Sequence, residues 1–371
     1  MSFFSPSMRY TSVRPELDHI VEYIPGESLE AFSKRTGIPL HQLVKLNSNE
    51  SPYPPIPEVL QALSDYTNYN IYPDTNSVAL RSALSSYTGL DPKFIVVGHG
   101  SSELIFLLWH IFLSVGDTII CCPPTFSFYT TSASFCNASV LEVPRTNTYE
   151  LDIEGILAAL RPSTKLIVLC SPNNPTGNPV HEKDVLTLLE TGRIVVVDEA
   201  YVEFSNHPQG MARLVPIYKN LVVLRTFSKW AGLAGLRIGY GLCPEWIAQH
   251  IRRAQNPFEV NMAGHIAAIL TLNNLDFVQN NVRRIINERE HLFNLLAQQP
   301  YLAPIPSEGN FILAHLRDQK VTIEKVRSAV EKHGILLRYF QSSSLHNSLR
   351  VTVGLPQHTE RLAEALASIE I

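Results

Sequence analysis

The stretch KLIVLCSPNNPTGNPVHEKDVLTLLETGRIVVVDEAY, residues 165–201, decides the fold class. It opens on an apolar run (165–170) and breaks at a Pro/Asn/Gly cluster. It then continues with a helical pattern (182–192) and closes on a second apolar run (193–197) that stops at Asp198. Strand, turn, helix and strand in that order make a βαβ unit. Runs that are apolar on both faces belong to a parallel sheet covered on two sides.

Further β-branched runs extend the sheet on either side: FIVV (94–97), TIIC (118–121), SVLEV (139–143), LVVLR (221–225) and RIGYGL (237–242). With the first pair they predict a mostly parallel seven-stranded sheet, helices on both faces, in an α/β fold. The last run follows its predecessor too closely for a crossover helix, so it is expected to run antiparallel. Beyond about Pro244 long helical patterns take over, followed by NFILAHL, a helix near 322–333, GILLRYF, SLRVTVG and a closing helix. These predict a smaller α+β domain. Residues 1–50 are expected to be an N-terminal arm packed on that domain or on a partner subunit. Residues 51–255 form the large domain and 256–371 the small one. The Pro-rich NESPYPPIPEV (49–59) reads as a loop.

The 371 residues suffice for such a two-part core, and 45% hydrophobic with 17% charged residues is an ordinary globular composition. A net charge of −4 gives no general attraction to nucleic acid, so an anionic ligand must be met by local cations and backbone N–H groups. The five Cys form no C-x-x-C pair and His shows no metal spacing, which predicts reduced buried thiols and no metal. The longest apolar run, LIFLLWHIFL, is too short to span a membrane. A cytoplasmic location is expected, although the Ser-rich start is also compatible with a transit peptide.

In open α/β sheets ligands bind beyond the carboxyl ends of the strands. Five runs end in polar motifs: GHGSSE, CPPTFSFY, SPNNPTG, DEAY and TFSK. Gly98 and Gly100 before a helix start make an anion cradle through free N–H groups. Lys229 lies among hydroxyl residues, and a desolvated, cation-rich setting lowers a lysine's pKa and makes it a Schiff-base former. Arg237 offers a planar fork for phosphate. Asp198 at a buried strand end requires a cation, and a protonated pyridine nitrogen is one. Tyr201 and Asn174 can donate to a ring oxygen, and Phe126 can stack on a ring. Each has a plainer competitor: a helix N-cap for Asp198, a turn for G-x-G, a solvated surface for Lys229, core for Phe126. Together they make an imine-forming amine, a ring-nitrogen partner, two donors, a stacking face and a phosphate cup, which match pyridoxal 5′-phosphate.

SPNNPTG, VVVDEAY and TFSKWAGLAGLRIG, in this order, resemble the fold-type I pyridoxal-phosphate-dependent transferases of the class II aminotransferase family. The match is close to the histidinol-phosphate aminotransferases and runs roughly from VKLNSNESPYPP to SLRVTVG. The resemblance implies that Lys229 holds the cofactor and shuttles a proton, Asp198 pairs with the ring nitrogen, and Asn174 and Tyr201 meet the phenolic oxygen. It places Phe126 on the ring, and Ser101, Ser102, Thr226, Ser228 and Arg237 on the phosphate. Tyr72 would reach the phosphate of a neighbouring subunit's cofactor, which implies a homodimer. Arg338 and Arg350 would bind substrate phosphate or carboxylate. The implied reaction exchanges an amino group between L-histidinol phosphate and 2-oxoglutarate, in histidine biosynthesis. An aromatic amino acid aminotransferase and a phosphothreonine decarboxylase share the cofactor and are alternatives, and a non-catalytic regulator would need a DNA-binding module that residues 1–50 do not show. The chain departs from the commoner family pattern at Ser102 (often Asp), in NESPYPP (often N-E-N-P-Y-G-P) and at Phe126 (often Tyr). The backbone N–H at 102 and the aromatic face at 126 survive those changes.

Overall fold

The computed structural model describes residues 14, 17, 20, 23–317, 320–340, 342 and 344–370. Expectations for the first thirteen residues, including a transit peptide, lie outside the described residues. Among the described residues, twelve strands form two sheets. Strand β1 (Val44–Leu46) precedes the seven strands of the large sheet: β2 (Ile95–Gly98), β3 (Thr118–Cys121), β4 (Ser139–Glu142), β5 (Thr164–Cys170), β6 (Ile194–Asp198), β7 (Leu221–Thr226) and β8 (Gly239–Leu242). The small sheet adds β9 (Leu302–Pro304), β10 (Phe311–Leu316), β11 (Ile335–Tyr339) and β12 (Ser348–Thr352).

The large sheet has the order β2-β8-β7-β6-β5-β3-β4. Only β8 is reversed, pairing antiparallel with β2 and β7, as the short connection before it requires. Val195, Val196 and Val197 are wholly buried, so consecutive residues on opposite faces both meet packed helices. Each such valine contributes about 1.5–3 kcal/mol of burial. The carboxyl ends of β2, β3, β5, β6 and β7 consequently share one rim, and the polar motifs that follow them line it.

The small sheet has the order β1-β11-β12-β10-β9. Residues 44–46 join it by pairing parallel with β11, a strand not expected from the sequence because three residues carry too little pattern. It attaches the N-terminal region to the small sheet. The expected loop at 49–59 needs correction: a helix Pro57–Asp65 starts inside it, with Pro57 in the first turn, where its missing N–H has no bond to lose. The helix Leu275–Ala297 buries Val278, Val282, Ile285, Arg289, Leu292 and Leu296 along one face. From that face Arg289 Nη1 donates to the carbonyls of Phe204 and Gly309, both at 3.1 Å, tying the end of β6 to the approach to β10. All five cysteines are free thiols, four of them buried. Among the described residues no His/Cys/Asp/Glu cluster suits a metal, and no helix is long and apolar enough to cross a membrane.

Candidate active site

Asp198 ends β6 at 4% exposure. Its carboxylate accepts the Tyr129 hydroxyl at 2.7 Å and the Ala200 N–H at 3.1 Å, and among the described residues it has no cation in an ion pair. Burial raises its pKa to about 6, against the opposing pull of the Tyr129 bond. Burial also keeps the Tyr129 hydroxyl protonated, so it remains a donor. The N-cap competitor for Asp198 fails, since the chain after it forms only a short 3-10 turn at Val202–Phe204. Phe126 meets the Tyr129 ring edge to face, with centroids 5.5 Å apart. Tyr129 was missed in the sequence, where it reads as one more aromatic in CPPTFSFY.

A cup lies beside this acid. The helix Ser101–Phe112 begins after Gly100 (φ 78°) with no side-chain cap, leaving its first N–H groups free for a ligand. Arg237, itself left-handed at φ 56°, spans the cup and donates to Ser102 Oγ at 3.3 Å. A Cβ on Gly100 would lie 2.4 Å from Arg237 Nη2, and one on Gly239 would lie 2.3 Å from the Ser101 nitrogen. Glycine at both positions is what lets backbone and guanidinium converge. Thr226 Oγ1 bonds Ser228 Oγ at 2.9 Å and accepts the Ser228 N–H at 3.1 Å, which fixes both hydroxyls on the same rim. Arg237 has no carboxylate partner in an ion pair among the described residues.

Lys229 Nζ donates to the Ser48 carbonyl at 3.1 Å. Burial, then the positive charge of Arg350, lowers its pKa to about 8; Arg237 acts in the same direction and Glu50 against it. Tyr201, the predicted ring-oxygen donor, has its hydroxyl oxygen bound by Asn49 Nδ2 at 3.0 Å. Asn49 is stitched to the small sheet: its N–H reaches Thr352 Oγ1 at 2.9 Å, and its carbonyl accepts from Asn310 at 3.0 Å. The NSN stretch at 47–49 thus threads between the two sheets. The sequence offered only a run of small polar residues there, with no sign of what they touch.

Arg350 lies opposite Arg338 across the β11–β12 pair. At 7% exposure it donates from Nη2 to the Asn47 carbonyl at 2.7 Å and from Nη1 to the Asn174 side-chain oxygen, while its buried Nε has no partner. Burial and the Arg338 charge reduce its pKa to about 10. Asn174 therefore offers its oxygen to Arg350 and turns its amide nitrogen, the end suited to a ring oxygen, the other way. Arg338 Nη2 donates to the Ile24 carbonyl at 3.1 Å. Next to Ile24, Tyr23 stands edge-on to Phe126 with centroids 5.9 Å apart, an arm contact the sequence did not suggest. Tyr72 is the predicted residue left outside the cluster. It is 75% exposed and stacks on Phe258 at 4.3 Å.

Among the described residues the rim thus combines an amine of lowered pKa, a buried acid without an ion-paired cation, an uncapped helix start with an arginine, and a buried arginine without an anion. The family model for aminotransferase class I and II matches residues 41–368. Histidinol-phosphate aminotransferase of Dehalococcoides mccartyi is 41% identical over 357 residues, covering 96% of this chain and 97% of its own. Histidinol-phosphate aminotransferase 1, chloroplastic, of Arabidopsis thaliana is 41% identical over 355 residues, covering 95% of this chain and 85% of its own. Among solved structures, histidinol-phosphate aminotransferase from Sinorhizobium meliloti in complex with pyridoxal-5′-phosphate superposes with a TM-score of 0.87 at 25% identity, covering 98% of this chain and 99% of the other. L-threonine-O-3-phosphate decarboxylase from Porphyromonas gingivalis, at 22% identity and a TM-score of 0.76, shares the fold.

Proposed function

The chain belongs to the class I and II aminotransferase family, and on that premise we propose that it transfers an amino group between L-histidinol phosphate and 2-oxoglutarate, giving imidazole acetol phosphate and L-glutamate. One observation carries the reading: Arg350 is buried within electrostatic reach of Lys229 with no counter-charge among the described residues, and Arg338 stands opposite it across the strand pair. Two guanidinium groups with neutral partners can bind either a carboxylate or a phosphate, which a site for both substrates needs. The named relatives supply the identity of those substrates.

The residues present fit pyridoxal 5′-phosphate. Asp198 lacks a cation that a protonated ring nitrogen provides. The Gly100 cradle, the free N–H groups of Ser101 and Ser102, Arg237, Thr226 and Ser228 form a phosphate-sized donor set. Lys229 would hold the aldehyde end, Phe126 would cover the ring, and Tyr201 and Asn174 would meet its phenolic oxygen. When bound, this group supplies an electron-poor ring that takes up the charge left as the substrate Cα loses its proton.

The chain's own contribution is positioning and proton movement. Asp198, already raised to about 6 by burial, becomes a stable carboxylate once a cation meets it. Tyr129 holds it in orientation. Lys229, with a pKa near 8, is poised to take the Cα proton and return it, because its value lies close to the working pH. Arg350 and Arg338 fix the anionic end of either substrate, which sets where Cα sits. In this reading residues 51–255 carry the cofactor side, and residues 256–371, extended by the arm within 1–50, carry the anion side. The exposed Tyr72 fits a homodimer in which it reaches a neighbouring phosphate, in a cytoplasmic enzyme. The test is amino transfer from histidinol phosphate to 2-oxoglutarate by the purified protein, with its visible absorbance band recorded. Lys229→Ala is expected to lose both the band and the activity. Full activity in that variant, or release of carbon dioxide in place of amino transfer by the parent, would overturn the reading.

A further inference from the structure

Strand β12 carries a second polar side chain on the face that bears Arg350. Ser348 lies two residues before it, and alternate residues of a strand share a face. Opposite Ser348 in the β10–β12 register is His315, and the Ser348 hydroxyl meets His315 Nδ1 at 2.7 Å. The other ring nitrogen, Nε2, meets the Tyr149 hydroxyl at 2.6 Å. Tyr149 belongs to the turn after β4, in the large-sheet part of the chain, and its ring lies nearly parallel to the imidazole at 5.9 Å. It adopts φ 66°, a left-handed conformation that is strained for a tyrosine and persists only where the surroundings hold it.

The surroundings that hold it are specific. The Tyr149 carbonyl accepts from Arg145 Nη1 and from Asn178 Nδ2, both at 2.9 Å. Asn178 Oδ1 accepts the Thr176 hydroxyl at 2.5 Å, and Thr176 in turn receives Asn173 Nδ2 at 2.7 Å. Asn173 and Thr176 flank Asn174, the residue that meets Arg350. Two routes therefore join β12 to the 171–178 turn: one direct, through Arg350 and Asn174, and one through Ser348, His315, Tyr149 and Asn178. A neutral imidazole has one donor and one acceptor nitrogen, and hydroxyls on both sides satisfy it in either tautomer.

We propose that Tyr149, His315 and Ser348 are positioning residues that set the height of Arg350 against the 171–178 turn, and so tune the grip on the substrate's anionic end. The proposal rests on the reading of Arg350 as the substrate-anion residue. It predicts that breaking the second route weakens anion binding while leaving the proton transfer at Lys229 intact.

Tyr149→Phe is the primary test, because it removes one hydroxyl and keeps the ring. Its KM for 2-oxoglutarate should rise about 2–12-fold, the equivalent of one lost hydrogen bond, with kcat within twofold and the cofactor absorbance band unchanged. The Kd of the cofactor-loaded protein for 2-oxoglutarate, measured by calorimetry, should rise by the same factor. His315→Phe should match it, and His315→Gln should recover part of the loss. In an Arg350→Ala background Tyr149→Phe should cost nothing further, whereas a merely structural role would give the same loss there. An unchanged KM and Kd in Tyr149→Phe, or full additivity with Arg350→Ala, overturns the proposal. If the parent fails to turn over histidinol phosphate but its 2-oxoglutarate affinity still depends on Tyr149, the positioning role stands and the substrate assignment falls.

Discussion

Two buried arginines sit on neighbouring sheets and are treated in opposite ways. Arg225, near the end of β7, is 3% exposed, and its Nε donates to Glu199 Oε2 at 2.9 Å. Its Nη2 reaches the Gln209 carbonyl at 2.6 Å, and the other oxygen of Glu199 accepts the Met211 N–H at 2.6 Å. Arg350 on β12 is similarly buried, yet it meets neutral oxygens and the face of the Phe311 ring, 5.4 Å from its centroid, and its Nε has no partner among the described residues. Burial opposes both charges. For Arg225, Glu199 together with Tyr240, Glu203 and Tyr87 more than offsets that and its pKa rises, whereas for Arg350 the opposing pull of Tyr201 falls short and its pKa drops to about 10. A cation neutralised inside the fold serves stability. A cation solvated by dipoles alone is prepared for an anion from outside.

The largest test of that contrast is Arg225→Met, which strands Glu199 as a buried charge. Loss of about 3–5 kcal/mol of unfolding free energy is expected, read as a lower urea midpoint at unchanged slope. A variant as stable as the parent would break the comparison. Arg350→Met should do the reverse. Its kcat/KM should fall by the equivalent of about 2–4 kcal/mol, while its melting temperature holds or rises. Because Arg350 is the second cause, after burial, of the low Lys229 pKa, the same variant should move the pH dependence of the Lys229 step upward. A pH profile identical to the parent's would show that the two groups do not sense each other.

Lys229 extends the contrast to pH. Its folded value of about 8 lies below its ordinary 10.5, so the folded chain binds fewer protons than the unfolded one between those values. Charged Lys229 therefore destabilises the cofactor-free fold in full below about pH 8, and the cost is relieved as the pH rises toward 10.5. Lys229→Met should melt higher than the cofactor-free parent at pH 7, with the gap closing toward pH 10.5; a constant gap would refute this. The same linkage with the opposite sign applies to Glu203, near Arg225, whose two buried side-chain oxygens have no hydrogen-bond partner among the described residues. Burial raises its pKa from 4.5 to about 8, against the pull of Arg225. Its contribution to stability is full below pH 4.5 and is lost as the pH rises through 8. Glu203→Gln should flatten the melting curve across that window, and an unchanged slope would place the proton elsewhere.

Much of the site was readable in order along the chain. Asp198, Thr226, Ser228 and Lys229 follow strands recognisable in the sequence and Arg237 opens the next; in the structure Thr226 bonds Ser228, Arg237 reaches Ser102 and Lys229 donates to the Ser48 carbonyl. The reversed direction of β8 was readable too, from the short connection alone. Tyr129 was not, because nothing in CPPTFSFY distinguishes the tyrosine that meets Asp198 from the aromatics around it. The partners of Arg225 and Arg350 were equally hidden: VLRTF and SLRVT look alike as apolar runs with one arginine each.

Taken alone, the sequence determined the alternation of buried strands with helices and the chemistry at the strand ends, because periodicity and motif spacing are carried by contiguous residues. Only the tertiary structure decided which buried charges are neutralised and which are left open. The groups that decide it come from distant parts of the chain, such as Asn47 and Arg350, 303 positions apart, or Tyr129 and Asp198, 69 apart. Hydrogen bonding and desolvation act through space, and no local pattern records them.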